Sequence, residues 1–227
     1  MRRIEIDSSL LEVSPDVKLG CIFYTATVEY ENEALWHFIG TRIEELSLCE
    51  LTTERLMRLP RISDARMIQK KLGSDPYRHR VSPEALIRRL ISGKGLYKVN
   101  NIVDIGNLLS VESCFPTCSY DLDKIGGYIS FRKGTSADSF KGIGSKERIN
   151  TENLPVLADE FGAFGCTTSD SERTMITSAT KSIMTVIKSF SNEALDLTNA
   201  IRYIQNFTDA KDIRPLLVTG KTTVQLL

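Results

Sequence analysis

The spacing of apolar residues changes at Pro116, and this change limits the fold more than any other feature of the sequence. Before Pro116, apolar residues recur every three or four positions, as between Leu35 and Leu46, which is the spacing of an amphipathic helix. After it, runs rich in Thr and Val dominate, such as Ile183 to Phe190, and these are typical of β-strands. An earlier strand is expected between Lys18 and Val28. This order of elements predicts a mixed α+β fold with a largely antiparallel β region.

Capping residues predict where several helices begin and end. Ser82 is expected to cap a helix whose first turn contains Pro83, and Asn101 is expected to cap the next helix in a capping box with Asp104. Gly73 stands where a preceding helix should stop. Ser191 is expected to cap the last helix of the chain.

Glycine pairs and β-branched residues predict the turns and strands of the second half. Gly126-Gly127 is a tight-hairpin signal that should join strands at 118–125 and 128–132. Residues 154–158 and 173–177 are expected to be strands, and the segment 161–165 is expected to form a hairpin or a bulge.

Composition excludes several classes of protein. The 227 residues carry 29 basic and 29 acidic side chains, and 41% are hydrophobic. This is ordinary globular composition, without the basic excess of a compact DNA-binding protein or the bias of a disordered chain. No run of about 18 apolar residues predicts a transmembrane span, and the N-terminus does not resemble a secretory signal. We therefore expect no membrane partner.

Cysteine and histidine usage argues against disulfide, metal and triad chemistry. The five cysteines include no CxxC pair, so a reduced, cytoplasmic protein is expected. His37 and His79 are the only histidines, which is too few for a histidine-rich metal site. Because the nucleotide-binding and hydrolase motifs are also missing, we expect no cofactor and no metal.

The neutral total conceals two segments of opposite charge. Residues 29–54 carry a net charge of about −6, and residues 66–98 carry about +7. The basic segment could attract an anionic partner such as RNA. Alternatively, the two segments face each other or are simply solvated.

Several polar residues in apolar surroundings are candidate site residues. Asn107 lies in the middle of a predicted helix, where it has no capping duty. Asp104 and Asp170 fit caps and turns as well as they fit a ligand site. Arg173 could clamp the carboxylate of an amino-acid-like ligand, or it could form a surface ion pair.

Four sequence motifs resemble one known family. They are SPEALIRRL at 82–90, NNIVDIGN at 100–107, PTCSYDLDKI at 116–125 and PVLAD at 155–159. In this order they resemble the B3/B4 (editing) domain of the phenylalanyl-tRNA synthetase β subunit, and more closely the free-standing B3/B4-domain proteins. The resemblance covers roughly residues 75–190.

The resemblance implies a layered β/β/α sandwich with largely antiparallel or mixed sheets and an N-terminal helical extension. We expect residues 1–74 to form the N-terminal strand and helical extension, packed on the core. Residues 75–227 would then form the B3/B4-like domain, and the two parts would make one compact unit.

The family removes tyrosine wrongly attached to phenylalanine tRNA, and the resemblance implies a ligand pocket here. Asn107 matches the family's pocket asparagine, whereas Gly106 stands at its threonine position and Cys118 at its histidine position. The segment 165–170, which includes Thr167, lacks the glutamate that recognises the tyrosine hydroxyl. The implied substrate-binding residues are Gly106, Asn107, Cys118 and Thr167, with Arg173 added as the possible clamp.

Two functions remain open on the sequence. The first is hydrolysis of a misacylated aminoacyl-tRNA in trans, for which Cys118, with His79 as a base, and Asp170 are the weak catalytic candidates. The second is a non-catalytic module that binds RNA or an amino-acid-like small molecule and has lost the editing residues. Hydrolysis or RNA binding would use tRNA or aminoacyl-tRNA as a partner through basic residues of the 66–98 segment, namely Arg78, Arg80, Arg88 and Arg89.

Overall fold

The computed structural model describes residues 2–46, 51–220 and 224–226. Their helices and strands confirm the mixed α+β fold with mostly antiparallel sheets. The seven α-helices of this part of the chain are α1 (Ser8–Leu11), α2 (Glu33–Glu45), α3 (Thr53–Met57), α4 (Pro60–Leu72), α5 (Ser82–Ile91), α6 (Asn101–Ser113) and α7 (Thr198–Phe207).

The first sheet has five strands in the order β11-β1-β4-β7-β8, and all neighbours are antiparallel except the parallel pair β1 and β4. The strands are β1 (Arg2–Ile6), β4 (Tyr128–Lys133), β7 (Pro155–Asp159), β8 (Gly162–Cys166) and β11 (Val224–Leu226).

The second sheet has four antiparallel strands in the order β10-β2-β9-β3. They are β2 (Lys18–Thr25), β3 (Thr117–Asp121), β9 (Ser182–Ser189) and β10 (Lys211–Thr219). A separate two-stranded ribbon pairs β5 (Ser139–Lys141) with β6 (Arg148–Asn150).

One hydrophobic core joins both sheets and the helices. The ring of Tyr120 on β3 packs edge-on against that of Phe164 on β8, with centroids 5.1 Å apart, so the two sheets meet face to face at this point. Helix α6 packs on β3 and also contacts α5 and α7. Burial of apolar surface between these layers stabilises the fold by about 25 cal/mol for each Å² removed from water.

Two helix caps differ from the prediction because the expected capping residues have other partners. Val81, not Ser82, precedes the first helical residue of α5, and the Ser82 amide donates to the Thr167 carbonyl at 2.9 Å. Asn100, not Asn101, caps α6 by accepting from the Val103 amide. The Asn101 side chain instead bonds to the backbone of residues 27 and 29.

The predicted hairpin at Gly126-Gly127 is also wrong. A single-turn 3-10 helix, Leu122–Lys124, follows β3 and sends the chain into β4 of the other sheet. A Cβ at residue 126 would lie only 2.0 Å from the Glu160 carboxylate. The Gly126 amide donates to Asp159 and the Gly127 amide to Glu160, so this segment contacts the β7–β8 turn and does not form a hairpin.

Two further elements were predicted in the wrong form. Residues 173–177 contain no strand, because the 3-10 turn Glu172–Thr174 holds Arg173 against Asp159. Helix α7 begins at Thr198 after Leu197, so Ser191 does not cap it. The strands at 18–25, 155–159 and 182–189 and the hairpin of β7 and β8 are confirmed.

Candidate ligand site between helix α6 and the second sheet

A cavity of about 360 Å³ opens where α6 meets β3. It is lined by Gly106 and Asn107 of α6, by Cys118 and Ser119 of β3, and by Asp170. Ligand pockets usually measure about 300–1,000 Å³, so this cavity suits a ligand the size of an amino acid.

The mouth of the cavity is apolar. Four large apolar residues that line it remain at least one third exposed, namely Tyr30, Val99, Ile143 and Met175. A largely apolar lining with a few polar side chains, here Asn107, Ser119 and Asp170, is the usual composition of a site for a small organic ligand.

The structure brings together four of the predicted site residues, Gly106, Asn107, Cys118 and Asp170. Asn107 is partly exposed, and none of the residues that the structure describes hydrogen-bonds to its side chain. Its amide group is therefore available to a ligand as both donor and acceptor.

Thr167 lies outside this cavity. It is buried, and its hydroxyl accepts a hydrogen bond from Gln69 Nε2 at 3.0 Å. Its carbonyl accepts from the Ser82 amide. Thr167 thus ties helices α4 and α5 to the end of β8.

Arg173 also lies outside this cavity, and its guanidinium is already occupied. Two of its nitrogens donate to the two carboxylate oxygens of Asp159, each at 2.9 Å, and the Asp159 side chain is fully buried. Another bond runs from Arg173 to the Lys124 carbonyl. Arg173 therefore links the segments that contain Asp159 and Lys124 within the fold through a bidentate ion pair and a backbone hydrogen bond.

Asp170 is held by a tyrosine that the sequence did not single out. Tyr120, which is fully buried, donates its hydroxyl hydrogen to Asp170 Oδ1 at 2.6 Å. Loss of solvation raises the pKa of the Asp170 carboxyl. A Cβ at Gly165 would lie 2.0 Å from the Tyr120 hydroxyl, so the pair requires glycine at that position.

Lys188 is the other functional candidate that sequence reasoning missed. It is 1% exposed, and its Nζ lies 3.1 Å from Cys118 Sγ and 2.7 Å from the Cys166 carbonyl oxygen. The sequence does contain a signal for a buried lysine, because Lys188 is the single charged residue in the apolar run 183–190. Burial acts to lower the pKa of Lys188, but the nearby Asp170 carboxylate and the contact with Cys118 favour the ammonium form and leave the pKa raised.

Cys118 lacks the surroundings of a nucleophile. Burial raises its thiol pKa to about 11, although the Lys188 charge acts in the opposite direction. No histidine lines the cavity, and His79 is in the connection between α4 and α5. A thiol of this pKa is almost fully protonated at neutral pH, whereas a reactive cysteine needs a thiolate.

We expect Cys118 to resist thiol reagents in the native protein. Cys49 lies outside the described residues, so the experiment uses a Cys49→Ser background. At pH 8 a maleimide should label Cys114 first, because Cys21, Cys118 and Cys166 are buried. Mass spectrometry of the digested protein checks the order, and fast labelling of Cys118 would contradict it.

The predicted RNA-binding arginines differ in their surroundings. Arg78 and Arg80 are exposed. Arg88 donates to the buried carboxylate of Glu84 at 2.9 Å, and Arg89 lies over the ring of Tyr97 at 3.9 Å. Only the first two therefore present unengaged guanidinium groups within the described part of the chain.

Neither a metal cluster nor a membrane helix is present in the part of the chain that the structure describes. No group of three or more His, Cys, Asp or Glu residues there could hold a metal ion. No helix there is long and apolar enough to cross a membrane.

The layered sheets define a small α+β domain with a cavity at α6, and comparison with known proteins gives its family. Residues 64–212 match the B3/4 domain. The chain therefore belongs to the B3/4 domain family.

The curated relatives are phenylalanine–tRNA ligase β subunits. That of Fusobacterium nucleatum is 31% identical over 130 residues, which cover 57% of this chain and 16% of the relative. That of Malacoplasma penetrans is 27% identical over 141 residues, which cover 60% of this chain and 18% of the relative. The chain thus spans less than a fifth of the length of these relatives.

A solved structure is also similar. An N-terminal fragment of the phenylalanyl-tRNA synthetase β subunit from Pyrococcus horikoshii matches with a TM-score of 0.49 and 13% identity. The match covers 97% of this chain and 53% of the fragment.

Proposed function

We propose that the protein binds the aminoacyl group of an aminoacyl-tRNA in the α6–β3 cavity and hydrolyses the ester in trans. The observation that carries the proposal is the convergence of Asn107, Asp170 and Ser119 on one cavity of amino-acid size. The family supports the same substrate class, because its relatives are named as ligases of phenylalanine and tRNA.

The chemistry requires little more than orientation. An aminoacyl ester is already activated, and fixing a water beside its carbonyl carbon supplies much of the rate increase. Water adds to this carbon, the bond to the ribose oxygen breaks, and the products are a free amino acid and an RNA hydroxyl. Asn107 would orient the aminoacyl group through its free amide.

Asp170 would accept the proton of the attacking water. Its raised pKa brings the carboxyl closer to the working pH than an ordinary aspartate, which improves a general base. The Tyr120 hydrogen bond occupies Oδ1 and fixes the direction of the carboxylate. Lys188 keeps positive charge near it and so favours the ionised, basic form.

Deacylation of a panel of aminoacyl-tRNAs, tyrosyl-tRNA among them, tests this function. We expect Asp170→Asn to slow release of the amino acid about a hundredfold, the usual contribution of a general base, and Asn107→Ala to slow it about tenfold. Asn206→Ala, an exposed asparagine of α7, is the matched control and should change nothing. Release at the buffer rate across the whole panel would exclude hydrolysis.

A non-catalytic binding module is the second candidate, and the protonated Cys118 thiol favours it because no thiolate nucleophile is available. Under this function a free amino acid should raise the melting temperature while no aminoacyl-tRNA is deacylated. Asn107→Ala should abolish that stabilisation. Turnover of any one substrate would reject this candidate in favour of the first.

A further inference from the structure

A basic loop leads directly to the mouth of the cavity. The loop, Ser92–Val99, connects α5 to α6, and residues 85–103 contain four basic side chains and no acidic one. Its last residue, Val99, lines the cavity, and its amide donates to Asp104 Oδ1 at 2.9 Å. The end of the loop is therefore fixed to α6 beside the site.

Tyr97 gives this loop an exposed aromatic platform. The side chain is 54% exposed, and the Arg89 guanidinium lies 3.9 Å from the ring centroid. The Nε of Arg89 is buried and has no hydrogen-bond partner among the described residues. Stacking on Tyr97 is thus the contact that holds the arginine, and it orients the ring in return.

We propose that Tyr97 stacks the terminal base of the unpaired 3′ end of an RNA, while Lys94 and Lys98 contact its phosphates. This inference rests on the proposed function, since it supplies the RNA half of the same substrate. An aromatic ring in a basic groove is the common arrangement for binding single strands, because every base has a stacking face.

The distances agree with this placement. Two residues of extended chain span at most about 7 Å, so Tyr97 lies no further than this, Cα to Cα, from Val99 at the cavity mouth. A base on Tyr97 and the ester of the same nucleotide at the mouth must be bound together, and this short separation of the two backbones is compatible with that. The cavity itself, at about 360 Å³, then needs to hold only the aminoacyl group.

The rest of the mouth is less suited to RNA. Tyr30 also lines the cavity and is 52% exposed. It is flanked by Glu29 and Glu31, whose charges repel phosphate. The strand should therefore approach along the basic loop and leave the Tyr30 side free.

Binding of an uncharged RNA hairpin with an unpaired ACCA 3′ end tests the proposal by fluorescence anisotropy at low salt. We expect Tyr97→Ala to weaken binding about tenfold and Tyr97→Phe to retain it within about twofold. Phe161→Ala is the matched control, because Phe161 is 72% exposed, lies near an arginine and does not line the cavity. Its affinity should equal that of the wild type.

Four outcomes would overturn the inference. The wild type does not bind the hairpin, or Tyr97→Ala binds it with unchanged affinity. A blunt-ended hairpin binds equally well, or a polyglutamate peptide competes equally well, which would indicate an acidic protein partner. Stabilisation by free amino acids is measured on the same proteins and should not respond to Tyr97→Ala. Its absence in the wild type, with RNA binding intact and dependent on Tyr97, would count against the proposed function alone.

Discussion

Arg173→Ala should lower the free energy of unfolding by about 3 kcal/mol, because removal of one partner leaves a buried charge without compensation. The Asp159 side chain is fully buried, and Arg173 meets both of its oxygens. The arginine is itself 31% exposed, which places the effect at the lower end of the range for buried pairs. Urea unfolding followed by circular dichroism measures it.

A double-mutant cycle separates this ion pair from other effects of the truncation. Asp159→Asn in the Arg173→Ala background should recover part of the loss, since the uncompensated carboxylate is then gone. The recovery is partial because the backbone amides of residues 126 and 161 donate to different carboxylate oxygens of Asp159, and an asparagine side chain has only one acceptor oxygen. A loss below about 1 kcal/mol in Arg173→Ala would mean that the pair behaves as a surface ion pair and that the guanidinium is free for a ligand.

Lys188→Met should destabilise the protein by about 3 kcal/mol at pH 8 and by clearly less at pH 5. The substitution removes the positive charge that lowers the pKa of Asp170, so the carboxyl pKa in the folded state rises further above its unfolded value. Such a carboxyl destabilises the fold above its folded-state pKa, and the penalty disappears as the pH falls below its unfolded pKa. The difference between the loss of stability at pH 8 and the loss at pH 5 therefore reports on the charge of Asp170.

Lys181→Met is the matched control for this experiment. Lys181 is exposed and lies one residue before β9, so its loss should change stability by no more than about 0.5 kcal/mol at either pH. An equal loss in Lys188→Met at pH 8 and pH 5 would show that packing, not the charge opposite Asp170, explains the role of the lysine.

The sequence predicts the helices, strands and site residues that depend on neighbouring positions in the chain. Apolar spacing placed α2 and α4, and β-branched runs placed β2 and β9. Asn107 emerged because a mid-helix asparagine without a capping role is unusual, and the structure leaves its side chain free at the cavity. Gly106, Cys118 and Asp170 line that same cavity.

The remaining site features depend on contacts between distant residues. Tyr120 and Asp170 are 50 positions apart, and Lys188 and Cys118 are 70 apart, so no local pattern could pair them. The same reason explains Arg173. Its partner Asp159 lies 14 residues away on β7, and only the fold shows that the pair is internal. Gly126-Gly127 resembled a hairpin turn locally, but the following strand joins a different sheet.

The pairing of β1 with β11 has a consequence for association between molecules. Arg2 of β1 lies opposite Leu226 of β11, so β11 covers the edge of β1 that faces away from β4. An open strand edge is a template on which another chain can add a strand. With β11 in place, the edge on this side of the sheet is a strand of only three residues, which offers little length for such pairing.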